Sequence, residues 1–370
     1  MKLLSGVLLV ATLALTAFGQ AAPPAGGLSG FQSAQLLTPT TGWIAAGGHV
    51  RWTSTGGASW QDITPSASSE QTLASMFFLD ADAGWALLTS PPDSNGQQAA
   101  SIASTTTGGS GWSVLPFSVS EPAPESALPA GSASIFFADA SHGWITVRFA
   151  TESNSDAGAL YATSDGGQNW NRLPDPPMGD PVRFVSAQFG WQAGGAGGQQ
   201  LYVTTNGGNS WLPVAVAIPG GLPIKRTRIA DPVFSSPAEG LLPIELVLQN
   251  DTSVMFAYAT QDGGQTWNLR SSVGTSAHHV APGAVTDSLV VWAYAGEHQI
   301  LVTDGSGTVT AVYDPWLFPR VVWTGFADRQ HGWLVASAGG CNADKTNCWQ
   351  RQKLLLTADG GVTVTDITPK

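Results

Sequence analysis

The chain has 370 residues, 43% of them hydrophobic and only 11% charged, and its net charge is −11. That balance excludes nucleic acid as the main partner, because phosphate binding needs a clustered basic surface. It also disfavours tight binding to anionic lipid. The length fits one closed all-β domain as well as it fits two smaller ones.

The chain opens Met1-Lys2 and then runs apolar from Leu3 to Phe18, with small residues at Ala17 and Gly19. A short positive start, a brief apolar core and a small-residue end predict a cleavable signal peptide over residues 1–19. Export to a secreted or periplasmic location follows as an expectation. Residues 20–30, rich in Ala, Pro and Gly, read as a flexible lead-in. No later stretch is apolar and long enough for a spanning helix, so none is expected in the mature chain.

From Phe31 onward a unit repeats. The Thr53–Trp60 copy reads Thr-Ser-Thr-Gly-Gly-Ala-Ser-Trp, and Thr105–Trp112 repeats the same frame. Thr163-Ser-Asp165-Gly-Gly167-Gln-Asn-Trp170 and Thr260-Gln-Asp262-Gly-Gly264-Gln-Thr-Trp267 are the clearest copies, and Asn206, Gly208 and Trp211 carry a variant with Asn. Asp359 and Gly361 keep the turn but lose the Trp, while Thr303-Asp-Gly-Ser-Gly307 is the faintest copy. An upstream landmark accompanies each: Gly42-Trp43, Gly84-Trp85, Gly143-Trp144, Gly190-Trp191 and Gly332-Trp333, with Gly240-Leu241 and Val291-Trp292 filling the remaining slots.

One unit read in full shows what the pattern encodes. Ser75–Leu79, Trp85–Leu88, Ala100–Thr105 and Trp112–Leu115 are short apolar runs bounded by Gly, Pro, Asp and Ser, which is the signature of strands. The Gly pair supplies positive φ for a tight hairpin, and the Asp or Asn before it can bond backbone amides across the turn. The Trp covers the hairpin with a large ring. A unit of this length repeated along a whole chain means a propeller or solenoid. Seven copies predict an all-β, seven-bladed propeller of four-stranded antiparallel blades, occupying residues 31–370 as one domain. The first unit owns its first strand and the last owns its fourth, so the ring is expected to close in phase. Asp165, Gly167, Trp170, Asn206, Gly208, Trp211, Asp262, Gly264, Trp267, Asp359 and Gly361 are therefore assigned to the scaffold rather than to chemistry.

The Thr-x-Asp-Gly-Gly-x-Thr-Trp run resembles the Asp-box, or BNR, repeat. Paired with the Gly-Trp landmark, it is similar to the Ycf48/HCF136 type of photosystem II assembly factor. That resemblance implies a non-catalytic scaffold that helps assemble a membrane complex through a protein partner. Asp-boxes also occur in sialidases and xyloglucan hydrolases, so a glycoside hydrolase is the competing expectation.

The enzyme reading makes demands the residues do not meet. Sialidases grip a carboxylate with three arginines and attack with a Tyr; Arg51, Arg148, Arg183, Arg270 and Arg320 share no motif, and Tyr161, Tyr202 and Tyr258 sit in strands near the turns. A glycosidase needs two carboxylates across a cleft. Glu152, Asp156, Glu239 and Glu245 are available, but spacing does not pair them. No nucleotide, hydrolase-elbow or metalloprotease motif is present. His278, His279 and His298 are scattered, so neither catalytic residues nor a metal or other cofactor is assigned.

The departures from the repeat are where function could sit. They are Pro91–Ala99, Pro116–Gly131, Ala215–Asp231 and an insertion at Ala336–Lys353. The third holds Lys225, Arg226 and Arg228, the densest basic cluster in the chain, a candidate docking patch for an acidic peptide or carboxylate. Trp316, Phe318 and Trp323 form a candidate aromatic surface, or else fill a gap between blades. Cys341 and Cys348 are expected to form a local disulfide in an oxidising compartment, pinning the inserted loop. The protein is expected to act as a monomer.

Overall fold

The computed structural model describes residues 27–66, 68, 70–120, 126–149, 157–234, 236, 238–275, 280–286, 289–294, 299–303, 308–312, 320–328, 330–341 and 348–370, with backbone alone across 273–320. The expected leader, Trp316, Phe318, His278, His279, His298, Glu152 and Asp156 lie outside the described residues or side chains.

The short apolar runs become strands, and each set of four folds back on itself. The first sheet contains Phe31–Leu36, Gly42–Ala46, His49–Thr53 and Gln61–Asp62 in that order. The second contains Thr72–Phe78, Gly84–Thr89, Gln97–Thr105 and Ser113–Pro116, and a fifth strand, Ala127–Pro129, pairs with the start of its third. The third runs from Gly131 to Arg172 and the fourth from Val182 to Pro213. The fifth contains Ile224–Ile229, Gly240–Leu248, Ser253–Thr260 and Asn268–Thr275, with Val233–Phe234 as an added strand. A sheet from Val280 to Val312 follows, and the C-terminal sheet contains Arg320–Phe326, Gly332–Cys341, Cys348–Thr357 and Thr365–Asp366.

All pairings along these sheets are antiparallel. The innermost strand of each sheet lies beside that of a neighbour, and the Arg320–Phe326 strand returns to lie beside Phe31–Leu36. The chain is an all-β propeller of four-stranded antiparallel blades.

The expectation of seven like blades needs correction. Among the described residues, six sheets show blade packing in their side chains; the Val280–Val312 sheet is described by backbone pairing alone.

The junctions between blades follow one plan. Phe78, Phe137, Phe184 and Phe326 end the first strand of their sheets and Phe234 ends the added strand of the fifth, each six residues before the Gly of the next strand. The Phe ring lies flat across that glycine: a Cβ at Gly84, Gly143 or Gly190 would stand 2.5 Å from a ring carbon. The indole of the preceding blade stacks on the same ring, Trp85 on Phe137 at 3.8 Å and Trp144 on Phe184 at 3.5 Å between centroids. The turn Trp then meets it edge-on, as Trp170 does Phe137 and Trp211 does Phe184. Each stacked or edge-on ring pair contributes about 0.5–1.5 kcal/mol beyond area burial.

Among the described residues no strand from one terminus joins the sheet of the other, so the ring closes in phase. Packing does not act alone there, however. Leu28 N–H donates to Gln352 O at 2.7 Å, and the Trp60 indole donates to Ile367 O at 3.1 Å. Trp60 lies against Trp333, and Phe31 against Trp323. The Ala336–Lys353 insertion is also not a loop but a two-stranded ribbon, paired as far as Cys341 opposite Cys348, whose sulfurs are bonded.

Candidate functional site

Because the strands run antiparallel in order, the turns between strands one and two and between three and four share one rim. The hairpins between strands two and three, and the connections to the next blade, share the other. The repeat turns all fall on the first rim. Every departure noted in the sequence falls on the second.

The first rim is built from saturated hydrogen bonding. The hydroxyl of Thr163, 4% exposed, donates to Asp165 Oδ1 at 2.8 Å and accepts from Gly167 N–H at 3.1 Å. Asp165 Oδ1 accepts from Asn169 N–H at 3.0 Å and Oδ2 from the Asn169 side chain at 2.8 Å. Gly166 and Gly167 adopt φ of 76° and 92°, which a side chain would strain. Thr260-Asp262-Gly264 and Thr357-Asp359-Gly361 repeat the set. Asn206 does so in the fourth sheet through Ser210, and Gly208 N–H donates to Thr204.

One further bond recurs that the sequence did not suggest. The first glycine N–H of the turn donates to a carbonyl in the strand-one-to-two turn of the same blade: Gly108 to Asp82, Gly166 to Ser141, Gly207 to Gln188 and Gly360 to Gln330, each at 2.9 Å. The acids respond to this environment. Bonds from the Thr266 hydroxyl and amide lead in lowering Asp262 to about 2. Thr363 does the same, in direction, for Asp359. At Asp165 burial pushes upward, but the bonds from Asn169 and Thr163 prevail and hold it low. These groups serve as acceptors that close the turns. The indoles are keyed across junctions as well, Trp85 to Gly166 O at 2.9 Å and Trp112 to Ile63 O at 2.8 Å, while Trp267 closes the fifth-sheet turn.

The second rim is where polar groups are left incompletely matched. The three basic residues lie on the innermost strand of the fifth sheet, and Lys225 and Arg226 line one groove. Lys225 Nζ pairs with Asp251 at 2.5 Å, on the hairpin between strands two and three. Asp251 takes φ of 64° in that hairpin. Lys225 sits at a bulge, between Ile224 opposite Leu248 and Arg226 opposite Val247. Arg228 stands opposite Glu245 in the register, 3.5 Å away. Glu245 is 4% exposed; its Oε1 accepts from Ser253 at 2.8 Å, and its Oε2 has no hydrogen-bond partner. The buried Nε of Arg226 has none either. A groove of about 530 Å³ opens beside them, lined by Gly197, Gln199, Arg226, Val247 and Ser253 with Lys225 and Asp251 at its edge. The glycine-rich Gly194–Gly198 hairpin of the fourth sheet forms the facing wall, with Gly198 over Arg228. Sequence spacing could not reveal Glu245 or Ser253 as members of this site. Only the strand register brings them under the arginines.

Arg183 pairs with Asp231 at 3.3 Å between the fourth and fifth sheets, and Arg148 with Asp180 at 3.2 Å between the third and fourth. Burial pushes the Asp231 carboxyl up, against the pull of Arg183 and with the help of Asp180. The tyrosines lie elsewhere. Tyr161 and Tyr258 are both 1% exposed, Tyr161 beneath Arg172 and Tyr258 donating to Ala217 O. Trp323 is part of the closing seam with Phe31, and so fills a gap between sheets.

With this geometry defined, comparison with known proteins becomes informative. No family model matches the chain. The photosystem II assembly lipoprotein Ycf48 of Synechococcus sp. (strain CC9902) is 31% identical over 136 residues, 36% of this chain and 34% of that protein. The match therefore spans about a third of the relative's length. A solved structure of YCF48 bound to D1 peptide superposes with a TM-score of 0.51 at 17% identity, covering 83% of this chain and 90% of that one. The chain is a Ycf48-like propeller. YCF48 from Cyanidioschyzon merolae superposes with a TM-score of 0.50 at 15% identity, over 82% of this chain and 88% of that one. A polysaccharide lyase of family PL25 reaches 0.51 at 9% identity, over 81% and 82%, which shows that the architecture is shared with enzymes and says nothing of activity here. Among the described residues no helix is long and apolar enough to cross a membrane.

Proposed function

We propose that this Ycf48-like propeller is an exported, non-catalytic scaffold that docks a protein partner on the rim opposite its repeat turns. One observation carries the reading: every irregular segment, the Lys225–Arg226 edge and the disulfide-bonded ribbon included, is gathered on that rim, while the other repeats a single closed motif. The match to an assembly factor and the fold shared with a peptide-bound YCF48 support it. A subunit of a membrane complex is the partner class these relatives suggest, with Lys225 and Arg226 offered to acidic groups on it.

The finer picture belongs to the same proposal. The Val280–Val312 sheet counts as a further sector of the ring, giving seven, with 31–370 as one domain. The turns are BNR-type Asp-boxes with a scaffold role, residues 1–19 direct export to a secreted or periplasmic location, and the chain works as a monomer without a cofactor. Trp316 and Phe318 extend the docking rim.

Capture from a periplasmic or secreted fraction tests the reading. Wild-type protein is expected to retain one defined partner, and Lys225→Glu with Arg226→Glu to lose it while folding normally. Turnover of fluorogenic sialosides or xylo-oligosaccharides that vanishes with one carboxylate variant would replace the scaffold with a glycosidase.

A further inference from the structure

Among the sheets with described side chains, the outer edges are closed by one device, and one sheet departs from it. Gln61–Asp62, Ser113–Pro116, Asn171–Arg172, Leu212–Pro213 and Thr365–Asp366 are the outermost strands of their sheets, each two or four residues long. A proline ends or closely follows every one of them: Pro65, Pro116, Pro174, Pro213 and Pro369. Proline has no N–H to offer a further strand, so an edge that meets one does not extend its ladder. Where the third strand outruns so short a fourth, the chain covers it with a segment of its own. Ala127–Pro129 pairs with Gln97–Ala99, and Leu28 with Gln352.

The fifth sheet lacks both devices. Its outermost strand, Asn268–Thr275, has eight residues and no proline, and among the described residues nothing pairs with its outer side. Arg270 stands at a bulge, unpaired between Leu269 opposite Tyr258 and Ser271 opposite Ala257. From Ser271 to Thr275 the pairing is regular. A row of N–H and C=O groups therefore faces outward over a length that the other blades do not leave open. A depression of about 620 Å³ lies beside it, lined in part by Gln261, Asn268, Leu269 and Arg270. Leu269 is 45% exposed. Asp262, in the same depression, gives its carboxylate to Thr260 and Thr266, and Arg270 has no acidic partner among the described residues.

We propose that this edge accepts an extended segment of a partner protein as an added antiparallel strand. Backbone hydrogen bonds along Ser271–Thr275 supply the affinity, and side chains of the added strand supply the choice. Leu269 takes an apolar residue and Arg270 an acidic one, which fixes the register. A second copy of the chain fits less well, because Asn268–Thr275 contains no acid and a two-fold pairing with itself leaves both arginines unmatched. The edge belongs to the outermost strand of the sheet and the Lys225–Arg226 groove to the innermost, so this site does not depend on the rim docking.

Fluorescence anisotropy of the full chain with a labelled octapeptide tests this. The peptide alternates Val and Thr, with Glu at its sixth position, which an antiparallel register sets beside Arg270. Saturable binding is expected, with slowed amide exchange across residues 268–275. Two adjacent prolines at the centre of the peptide remove a ladder donor in either register, and should weaken binding by about tenfold or more. Replacing the peptide's Glu with Lys should weaken binding about two- to fivefold, and Arg270→Glu should reverse that order. Leu269→Lys places a charge on the edge, and should weaken both peptides while the melting temperature stays unchanged. Lys225→Glu with Arg226→Glu should leave peptide binding intact, so that failure of this site and failure of the rim docking are told apart. Absence of saturation, equal binding of the proline peptide, or indifference of Arg270→Glu to the peptide's charge overturns the proposal. A dimer in sedimentation that Leu269→Lys dissociates overturns it as well, in favour of a second copy.

Discussion

The two rims of this propeller use the same strands for opposite ends. On one, a Thr, an acid, Asn or second Thr, and two glycines close the repeat turns with one recurring set of hydrogen bonds. On the other, hairpins of differing length surround a groove lined by Lys225, Arg226, Asp251 and Ser253. Residues that recur in each blade carry stability, and those that occur once are free to carry recognition.

The sharpest way to break that division is through a junction ring. Trp144 is 2% exposed, stacks on Phe184 and donates its indole N–H to Gly207 O at 3.0 Å. Trp144→Ala should cost about 3–5 kcal/mol, as buried Trp truncations do. Denaturant unfolding measures it, and a loss below about 1 kcal/mol would mean the junctions are not what holds the ring.

The ribbon provides an intermediate case, because it lies on the irregular rim yet is covalently closed. Replacing Cys341 and Cys348 with Ser should lower stability by about 2 kcal/mol, the low end expected for so short a loop. Gln352, on the same ribbon, accepts from Leu28 and Phe31, so the N-terminal segment should become more open to proteolysis in the same variant. Reduction of the wild type should reproduce both effects.

Within the regular rim, Thr260 and Asp262 can be separated. The Thr260 hydroxyl, 2% exposed, serves both the turn and the acid, so Thr260→Val should cost about 1–3 kcal/mol. Asp262 is different in kind: its folded value of about 2 lies below the ordinary 3.8. Its contribution is present above the unfolded value and is lost as pH falls through the folded one. Melting temperature measured between about pH 4 and pH 2 should therefore fall less in Asp262→Asn than in wild type. Asn206, which makes the equivalent bonds in the fourth sheet, is the built-in precedent for that substitution.

How far these features could be read in advance depends on whether they are local. The turns, the strands around Phe78 and Trp85, and the bond between Cys341 and Cys348 are short-range in sequence, and their residues announce them. The Phe six positions before each Gly was equally visible, but its meaning appears only when the neighbouring blade's indole lands on it. The groove was legible in part. Lys225, Arg226 and Arg228 stand out as a run, and a bulge at Lys225 sets it beside Arg226 in one groove. Glu245 and Ser253 come from other strands, and register alone unites them with Arg226.

The smallest effect expected on stability is also the one that most directly separates the rims. Lys225 and Asp251 are each more than half exposed, and such pairs contribute at most about 0.5 kcal/mol. Lys225→Ala should therefore leave thermal unfolding within about 1 °C of wild type. If the irregular rim is the recognition surface, the same variant should lose much of its partner in capture, and raised salt should reproduce the loss in wild type by screening the exposed charge. An unfolding shift as large as that of a junction variant would show that Lys225 holds the fold together, and the contrast between the two ends of the blades would disappear.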